Sequence, residues 1–401
     1  MPRVLQIILM ALSGTAVTGA VHYYLYRRLV KHTQIGSPWR QIAKWTIFAL
    51  FLSVFLSFIV RRYMPFEIGR VVMFVPYIWM GSITFIFLIL LVSDLMKLVL
   101  SGIRKVGGGK PTDPERRIFF SRMAAGVSAV TAVGLGAFAV PNALRKAQVK
   151  LVEVTLAKLP KVLSGFTIVQ ITDLHIGINL GRAWAEQVVQ QVNALKPDLI
   201  AITGDLVDGS PDRLRHEVEP LADLKAPNGV FFVTGNHEYY SGITEWIPEL
   251  EKLGMRVLRN ERVSVGLGKA SFDLAGIDDS AARDRLKVPG HGPDLKKAVK
   301  DRDPQKELVL LAHQPREVFE AAEHNVGLLL SGHTHGGQFW PYTYFVYMSQ
   351  PYRSGLHRHT DNTQVYVSEG TGYWGPPMRL GTQGEITLVK LLSGQDNIDT
   401  V

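Results

Sequence analysis

Five short motifs in the second half of the chain carry side chains that bind hard metal ions. They read Asp-Leu-His, Gly-Asp-Leu-Val-Asp, Gly-Asn-His-Glu, a single His, and Gly-His-Thr-His, in that order. Carboxylate, amide and imidazole donors of this kind suit divalent cations such as Mn, Fe or Zn. Two such cations held about 3.5–4 Å apart can cleave a phosphoester. The candidate ligands are Asp173, His175, Asp205, Asn236, His313, His333 and His335.

Each of these motifs directly follows a short apolar run that is typical of a buried β-strand. The five runs are 166–172, 198–203, 229–234, 307–312 and 326–330. Further strands are predicted at 151–156, 272–277, 364–367 and 385–391, and helices at 183–195, 213–224, 244–253, 293–300 and 316–323. Ligands usually bind at the carboxyl ends of strands in α/β sheets. The pattern therefore predicts an α/β domain that gathers the ligands at one edge.

The composition limits the kinds of site that the chain can form. It has 401 residues, too many for one ordinary domain, and no cysteine. Disulfides and thiolate metal sites are therefore excluded, and any metal must be held by nitrogen and oxygen. The net charge of +9 is explained by basic loops in the first half, so no specific nucleic-acid partner is predicted.

Four apolar runs in the first half are long enough to cross a bilayer, which needs about 20 residues. They lie at about 4–25, 42–60, 71–93 and 118–140. The third run carries no charged residue and the second carries only Lys44, near its start, which argues against soluble core helices. The sequence predicts a multi-pass protein of a bacterial cell membrane, with the lipid bilayer as a partner.

The basic residues between these runs predict how the chain is oriented. The first and third loops, with the starts of the runs that follow them, together hold twelve Lys and Arg residues, whereas the second loop holds three. Loops rich in Lys and Arg stay in the cytoplasm, so the second half of the chain is expected outside it. The pair Arg116-Arg117 before the fourth run is either an export signal or part of this bias, and both interpretations give the same side.

The order and spacing of the five motifs resemble the calcineurin-like metallophosphoesterase superfamily. The segments Gly332–Gln338, Gly276–Asp279 and Pro377–Arg379 are similar to its bacterial membrane-associated branch, of the YkuE and YaeI type. The resemblance covers about 161–392. It implies a metal-dependent phosphoric ester hydrolase with two divalent metal ions, whose identity the sequence does not specify.

The resemblance also implies a role for each motif residue. One ion would take Asp173, His175 and His335, the other would take Asn236, His313 and His333, and Asp205 would bridge them. The ions would share an ionised water that attacks phosphorus. His237 would protonate the leaving group. Asp208 and Glu238 are expected to orient imidazoles, and Arg379 either clamps a substrate phosphate or forms a surface salt bridge.

The predicted architecture is an N-terminal all-α transmembrane bundle followed by an α/β domain of two packed mixed β-sheets flanked by helices. The predicted boundaries are 1–141 for a four-helix anchor, 142–160 for a connector, 161–392 for the phosphoesterase domain and 393–401 for a tail. An aromatic run at 339–347 either packs in the core, covers the site, contacts acyl chains or touches the bilayer.

The predicted function is hydrolysis of phosphodiester or related phosphoester bonds in lipid-linked or envelope substrates. One alternative is hydrolysis of the UDP-2,3-diacylglucosamine pyrophosphate bond in lipid A biosynthesis, which requires a cytoplasmic site. Another is a transporter or sensor with a regulatory phosphoesterase domain. It is disfavoured because the runs carry few ionisable residues, which translocation pathways usually need. The sequence specifies no oligomeric state.

Overall fold

A computed structural model of the protein describes residues 3–108, 113–268 and 270–394. The chain divides into two compact units, Met1–Phe138 and Ala139–Val401. Four helices precede the first strand, and the last of them extends into the second unit. They are α1 (Arg3–Leu25), α2 (Trp39–Tyr63), α3 (Phe66–Val106) and α4 (Pro114–Leu144).

Two of these helices, α3 and α4, are long and apolar enough to cross a membrane, judged by length and composition. The predicted spans at 4–25 and 42–60 fold as α1 and α2, but whether those helices cross a bilayer stays a prediction. A π-helical segment, Tyr26–Lys31, prolongs α1 by six residues.

Polar contacts connect α1 and its extension to α3 within the first unit. Trp79 Nε1 donates to His22 Nε2 at 2.9 Å. The buried Arg28 guanidinium pairs with Asp94 at 2.6 Å, and Tyr24 donates to the same carboxylate at 2.8 Å. The sequence predicted few buried ionisable groups here, yet His22 and Arg28 are both buried. Because His22 and Arg28 each have a partner on α3, these contacts join the helices and leave no buried charge uncompensated.

The second unit contains two six-stranded mixed sheets, which confirms the predicted fold class. The strand orders are β1-β12-β2-β3-β4-β5 and β10-β11-β9-β8-β7-β6. The strands are β1 (Gln148–Leu156), β2 (Thr167–Ile171), β3 (Leu199–Thr203), β4 (Val230–Val233), β5 (Met255–Val257), β6 (Glu261–Leu267), β7 (Ala270–Gly276), β8 (Leu308–Leu311), β9 (Leu328–Ser331), β10 (Gly355–Arg358), β11 (Gln364–Val367) and β12 (Glu385–Ser393).

Seven shorter helices flank the sheets. They are α5 (Arg182–Ala194), α6 (Pro211–Val218), α7 (Asn236–Ser241), α8 (Ile243–Lys252), α9 (Leu295–Ala298), α10 (Val318–Glu323) and α11 (Tyr342–Phe345). In α5 the buried side chains are Ala185, Val188, Val189 and Val192. This i, i+3, i+4, i+7 spacing places one apolar stripe against the sheet.

The core lies between the two sheets. Leu199, Ala201 and Val233 from the first sheet pack in one cluster with residues such as Phe272 and Leu311 from the second. Every residue of β3 is buried, as expected for a central strand covered on both faces. In β1 the buried and exposed residues alternate over its second half, which fits its place at the edge of the sheet.

All nine predicted strands are present, and β5, β6 and β10 are additional. β1 lies inside the segment expected to be a connector and pairs in parallel with β12 over nine residues. Residues 148–156 therefore belong to the sheet. Most of the predicted tail, 395–401, lies outside the described residues.

The core packing predicts that truncating Phe272 lowers the free energy of unfolding substantially. Its ring is fully buried and meets Phe166 edge-on at 5.4 Å. Phe272→Ala should destabilise the second unit by about 3–5 kcal/mol, since a buried cavity remains. Thermal unfolding of the purified protein measures this as a lower Tm.

Phe319→Ala is the matched control, because that ring is 56% exposed on α10. Its cost should stay within about 0.5 kcal/mol. Equal Tm changes for the two variants would contradict the assignment of the core.

Candidate metal centre

The five predicted ligand motifs lie in loops at the carboxyl ends of parallel strands. Asp173 follows β2, Asp205 follows β3 and Asn236 follows β4 in the first sheet. His313 follows β8 and His333 follows β9 in the second sheet. Parallel strands end at a common edge, so the topology brings these loops together where the two sheets meet.

The first group of potential ligands contains Asp173, His175 and His335. The Nε2 atoms of the two histidines are 3.1 Å apart, and His335 Nε2 is 3.3 Å from Asp173 Oδ1. Donor atoms around one ion at about 2.1 Å, with angles of 90–109°, lie about 3.0–3.4 Å from one another. The spacing fits three ligands of one ion.

The second group contains Asp205, His313 and His333. Asp205 Oδ2 lies 3.1 Å from His313 Nε2, and the latter lies 3.1 Å from His333 Nδ1. The same oxygen of Asp205 is 4.0 Å from His175 Nε2 in the first group. Asp205 therefore lies between the two groups.

Buried polar atoms without a partner support metal binding here. Asp173 Oδ1 and Asn236 Oδ1 are both buried and accept no hydrogen bond. An unsatisfied buried oxygen is costly, and a cation would compensate both atoms. The other carboxylate oxygen of Asp173 is fully engaged, by the Thr172 hydroxyl at 2.8 Å and the His333 amide at 3.0 Å. The donor set and its geometry fit a divalent cation.

Neighbouring groups fix how the imidazoles are turned. His313 Nδ1 lies 2.8 Å from the Thr203 carbonyl, so its Nε2 faces Asp205. Asp208 Oδ1 accepts from Nδ1 of both His175 and His237. This leaves Nε2 of each ring 4.0 Å from Asp205 Oδ2. Outer hydrogen bonds of this kind set the tautomer of metal-binding histidines.

The expectation for Glu238 was wrong in its detail. This carboxylate contacts no imidazole and instead accepts hydrogen bonds from backbone amides of Gly235, Asp205 and Leu206, at 2.6, 3.0 and 2.7 Å. Glu238 therefore holds the loop after β3 against the start of α7. Burial, together with the charge of Asp205, raises the pKa of Glu238 to about 7.

One of the two alternatives for Arg379 was also wrong. Its side chain is 1% exposed, so it forms no surface salt bridge, whereas the phosphate clamp stays a prediction. Its Nη2 donates to the carbonyls of Glu369, Gly370 and Gly372. Gly372 N in turn donates to the Asp173 carbonyl at 3.0 Å. Arg379 thus supports the backbone that positions Asp173.

The electrostatics favour neutral imidazoles at His333 and His335. Burial and the charge of His313 lower the pKa of His333 to about 3. Burial, followed by the charges of His175 and Arg379, lowers the pKa of His335. A neutral imidazole keeps the lone pair that a metal needs.

Asp205 and His237 are shifted toward their charged forms. Burial alone would raise the pKa of Asp205, but His313 and His237 outweigh it and hold the pKa well below its usual value. Burial opposes the charge of His237, yet Asp205 and Asp208 raise its pKa to about 9. The carboxylate therefore remains an anionic ligand, and His237 tends to carry a proton.

The ligand loops have an unusual backbone. Asp173, His175, Asp205, His333 and His335 all have positive φ, between 48° and 70°. Non-glycine residues rarely adopt this region. Such conformations cost of order 1–3 kcal/mol each and cluster at functional sites. The fold thus stabilises strained ligand positions, which favours a site built before its cation binds.

Three glycines of the ligand motifs serve either a turn or a close approach of the backbone. Gly204 has φ of +86°. Gly235 and Gly332 are required for space, since a Cβ atom would lie 2.2 Å from Asp205 Oδ1 and 2.3 Å from Asp173 Oδ2 respectively. The absence of a side chain there lets the carboxylates approach the neighbouring loop.

Sequence reasoning missed two aromatic residues beside His237. Tyr240 and Trp374 meet its ring edge-on at 5.3 and 5.6 Å, and both are about half exposed. Tyr240 follows the Asn-His-Glu motif closely, whereas Trp374 had no signal beyond the glycines around it. Asp279, at the end of one of the segments that carry the family resemblance, accepts hydrogen bonds from Gln314 and the Ala281 amide and serves the local fold.

The close packing at Gly235 predicts that even a methyl side chain there disturbs the metal centre. Gly235→Ala should displace Asp205 and lower both the metal content and the turnover of the purified protein, because the new methyl group overlaps the carboxylate. Elemental analysis after gel filtration measures the metal. Gly36→Ala, where no atom lies within 4 Å of the new Cβ, should retain both properties. Full metal content in Gly235→Ala would contradict the geometry.

Comparisons with known proteins show which family this chain resembles. A family model described as calcineurin-like phosphoesterase matches residues 166–337. A Danio rerio transmembrane protein with a metallophosphoesterase domain is 40% identical over 268 residues, covering 65% of this chain and 61% of the relative. The chain thus aligns with less than two thirds of that relative.

Bacterial relatives align over more of their length. The metallophosphoesterase YkuE of Bacillus subtilis is 29% identical, over 69% of this chain and 98% of the relative. The metallophosphoesterase Cj0846 of Campylobacter jejuni is 33% identical over 381 residues, covering 94% of this chain and 96% of the relative. The predicted resemblance is confirmed, and the chain belongs to the calcineurin-like phosphoesterase family of metal-dependent phosphoester hydrolases.

Proposed function

We propose that the protein is a membrane-anchored phosphoesterase that uses two divalent cations, of the Mn, Fe or Zn type. The observation that carries the proposal is the pair of ligand groups, of which the second contains Asp205 with its Oδ2 4.0 Å from His175 of the first, and the buried, unpartnered Asp173 Oδ1 and Asn236 Oδ1. One cation would be held by Asp173, His175 and His335. The other would be held by Asn236, His313 and His333, and Asp205 would contact both.

Bound cations of this kind supply Lewis acidity that ionises water near neutral pH and neutralises phosphoryl oxygens. The chain's own residues then hold the groups in place. Asp208 turns His237 so that its Nε2 faces the site. Because His237 is not needed as a ligand, it can donate its proton to the leaving oxygen. The exposed rings of Tyr240 and Trp374 flank that position and would contact the leaving group.

The proposed substrates are phosphodiesters or related esters that are lipid-linked or belong to the cell envelope. Two helices of membrane-crossing length precede the phosphoesterase unit, and α4 ends at Leu144, close in sequence to β1 at Gln148. A site attached to a bilayer by so short a connection meets membrane substrates at high effective concentration.

The direct test is hydrolysis by the detergent-purified protein after addition of Mn²⁺. We expect turnover of bis(p-nitrophenyl) phosphate that a chelator abolishes and Mn²⁺ restores. A panel of lipid phosphates and nucleotide-lipid pyrophosphates would then define the substrate class. No metal-dependent turnover of any phosphoester would contradict the proposal.

The role of His237 predicts a dependence on the leaving group. His237→Ala should keep its metal but lose about 10²–10⁴-fold in rate on an alkyl phosphodiester, since a general acid is removed. The loss should be smaller for p-nitrophenol, which departs without a proton. Rates measured on both substrates test whether His237 acts as the general acid. An equal loss of rate on the two substrates would contradict that role.

We also propose that the metal centre lies outside the cytoplasm, after four spans. The support is the excess of Lys and Arg in the first and third loops. A reporter that is active only outside the cytoplasm should be active after Val401 and silent after Gly108. The opposite result would contradict this orientation and would favour the diacylglucosamine-nucleotide alternative.

A further inference from the structure

An exposed aromatic surface lies in the segment that follows the last metal-binding motif. Its side chains are between 43% and 82% exposed, although they are large and mostly apolar. They are Trp340, Tyr342, Tyr344, Phe345, Tyr347 and Met348. Contiguous exposed apolar side chains are uncommon on soluble surfaces and mark interaction sites. We refer to these six residues as the aromatic surface.

The aromatic surface is fixed to the site loops on its inner side. Phe339 and Thr343 are buried, and Trp340 N donates to the Leu380 carbonyl at 3.1 Å. Gln338, three residues after the proposed ligand His335, exchanges hydrogen bonds of 2.9 Å with the backbone of Trp374. The segment is therefore attached both to the metal loop and to the ring beside His237.

The composition indicates which partner the aromatic surface contacts. Residues 336–352 contain no Asp, Glu, Lys or Arg. The first charges beyond them are Arg353 and Arg358. Trp and Tyr, with an apolar ring and a polar edge, concentrate at membrane–water interfaces. Arginine beside them suits anionic headgroups.

The end of α4, the helix that leads out of the proposed membrane anchor, packs next to Trp374 within the second unit. Ala143 packs against Leu180 and Tyr373, and the Ala139 carbonyl accepts from Arg379 N at 2.9 Å. Tyr373 directly precedes Trp374. The helix that leads out of the proposed membrane anchor therefore ends on the loop that borders His237, within the second unit itself.

We infer that the aromatic surface docks onto the lipid bilayer and that the metal centre takes its substrates from the headgroup layer. This inference rests on the proposed function and specifies its substrate class as phosphoesters of membrane lipids. The docked rings would lie on the segment that Gln338 joins to Trp374, the ring beside His237. A lipid phosphate could then reach the cations while its acyl chains remain in the bilayer.

Site-specific fluorescence tests this inference, because the chain has no cysteine. Tyr347→Cys in the full chain, labelled with a nitrobenzoxadiazole dye, is reconstituted in vesicles of phosphatidylcholine and phosphatidylglycerol. Lipids with a doxyl group near the headgroup should quench roughly half of the emission or more, since interfacial side chains lie about 5–10 Å deep. Val162→Cys, on a residue 73% exposed before the amino end of β2, should remain unquenched.

A second variant separates docking from simple tethering. Tyr344→Ser with Met348→Ser, added to the labelled Tyr347→Cys chain, should lose most of the quenching while keeping turnover of bis(p-nitrophenyl) phosphate. Equal quenching at positions 347 and 162, or quenching unchanged by the serines, would overturn the inference. Disulfide cross-linking between copies of the unlabelled Tyr347→Cys chain, with no lipid quenching of the labelled chain, would also overturn it, since a second copy would then cover the surface.

The fluorescence readout needs no turnover. No quenching of the labelled Tyr347→Cys chain without the serines, together with intact phosphodiester hydrolysis, would overturn only the docking inference. Quenching without any hydrolysis would instead contradict the proposed function.

Discussion

A buried carboxylate is unfavourable unless opposite charge or hydrogen bonds compensate it, and Asp205 is only 2% exposed. Its Oδ1 accepts from the His237 amide at 2.8 Å. Its Oδ2 faces imidazoles of His313, His175 and His237. These partners come from three loops, which follow β2 and β4 in the first sheet and β8 in the second, so the compensation of one charge brings loops of both sheets together.

The features around Asp205 follow from that requirement. Gly235 has no side chain because its Cβ would overlap the carboxylate. Glu238 binds the backbone amides of Asp205 and Leu206, and Asp208 turns two imidazoles inward. The ligand residues adopt positive φ, a cost that the packed core between the sheets offsets. The stable sandwich thus carries a strained edge at which cation binding is the compensating interaction.

The sequence predicted the parts of this arrangement that depend on local pattern. Continuous apolar runs before Asp173, Asp205 and His313 identified buried strands. β5 has three residues and β10 has no apolar alternation, so neither strand could be recognised from the spacing of its apolar residues. Pairing of β1 with β12, which are more than 200 residues apart, also leaves no local signal.

Long-range contacts also explain the side chains whose roles were misjudged. By residue type Arg379 could form a surface salt bridge, yet the burial that makes it a backbone support depends on the loop at 369–372. Trp374 lies beside His237 because Gln338 binds its backbone. The aromatic run 339–347 had several interpretations in the sequence. Burial separates Phe339, which belongs to the interior, from Trp340 and Tyr344, which face outward.

The central claim is that Asp205 joins two cation sites. The most direct measurement is anomalous X-ray diffraction from crystals of the purified protein grown with Mn²⁺. The account predicts two anomalous peaks, one among Asp173, His175 and His335 and one among Asn236, His313 and His333, with Asp205 contacting both. A single peak, or a peak bound through His237 and Asp208, would contradict it.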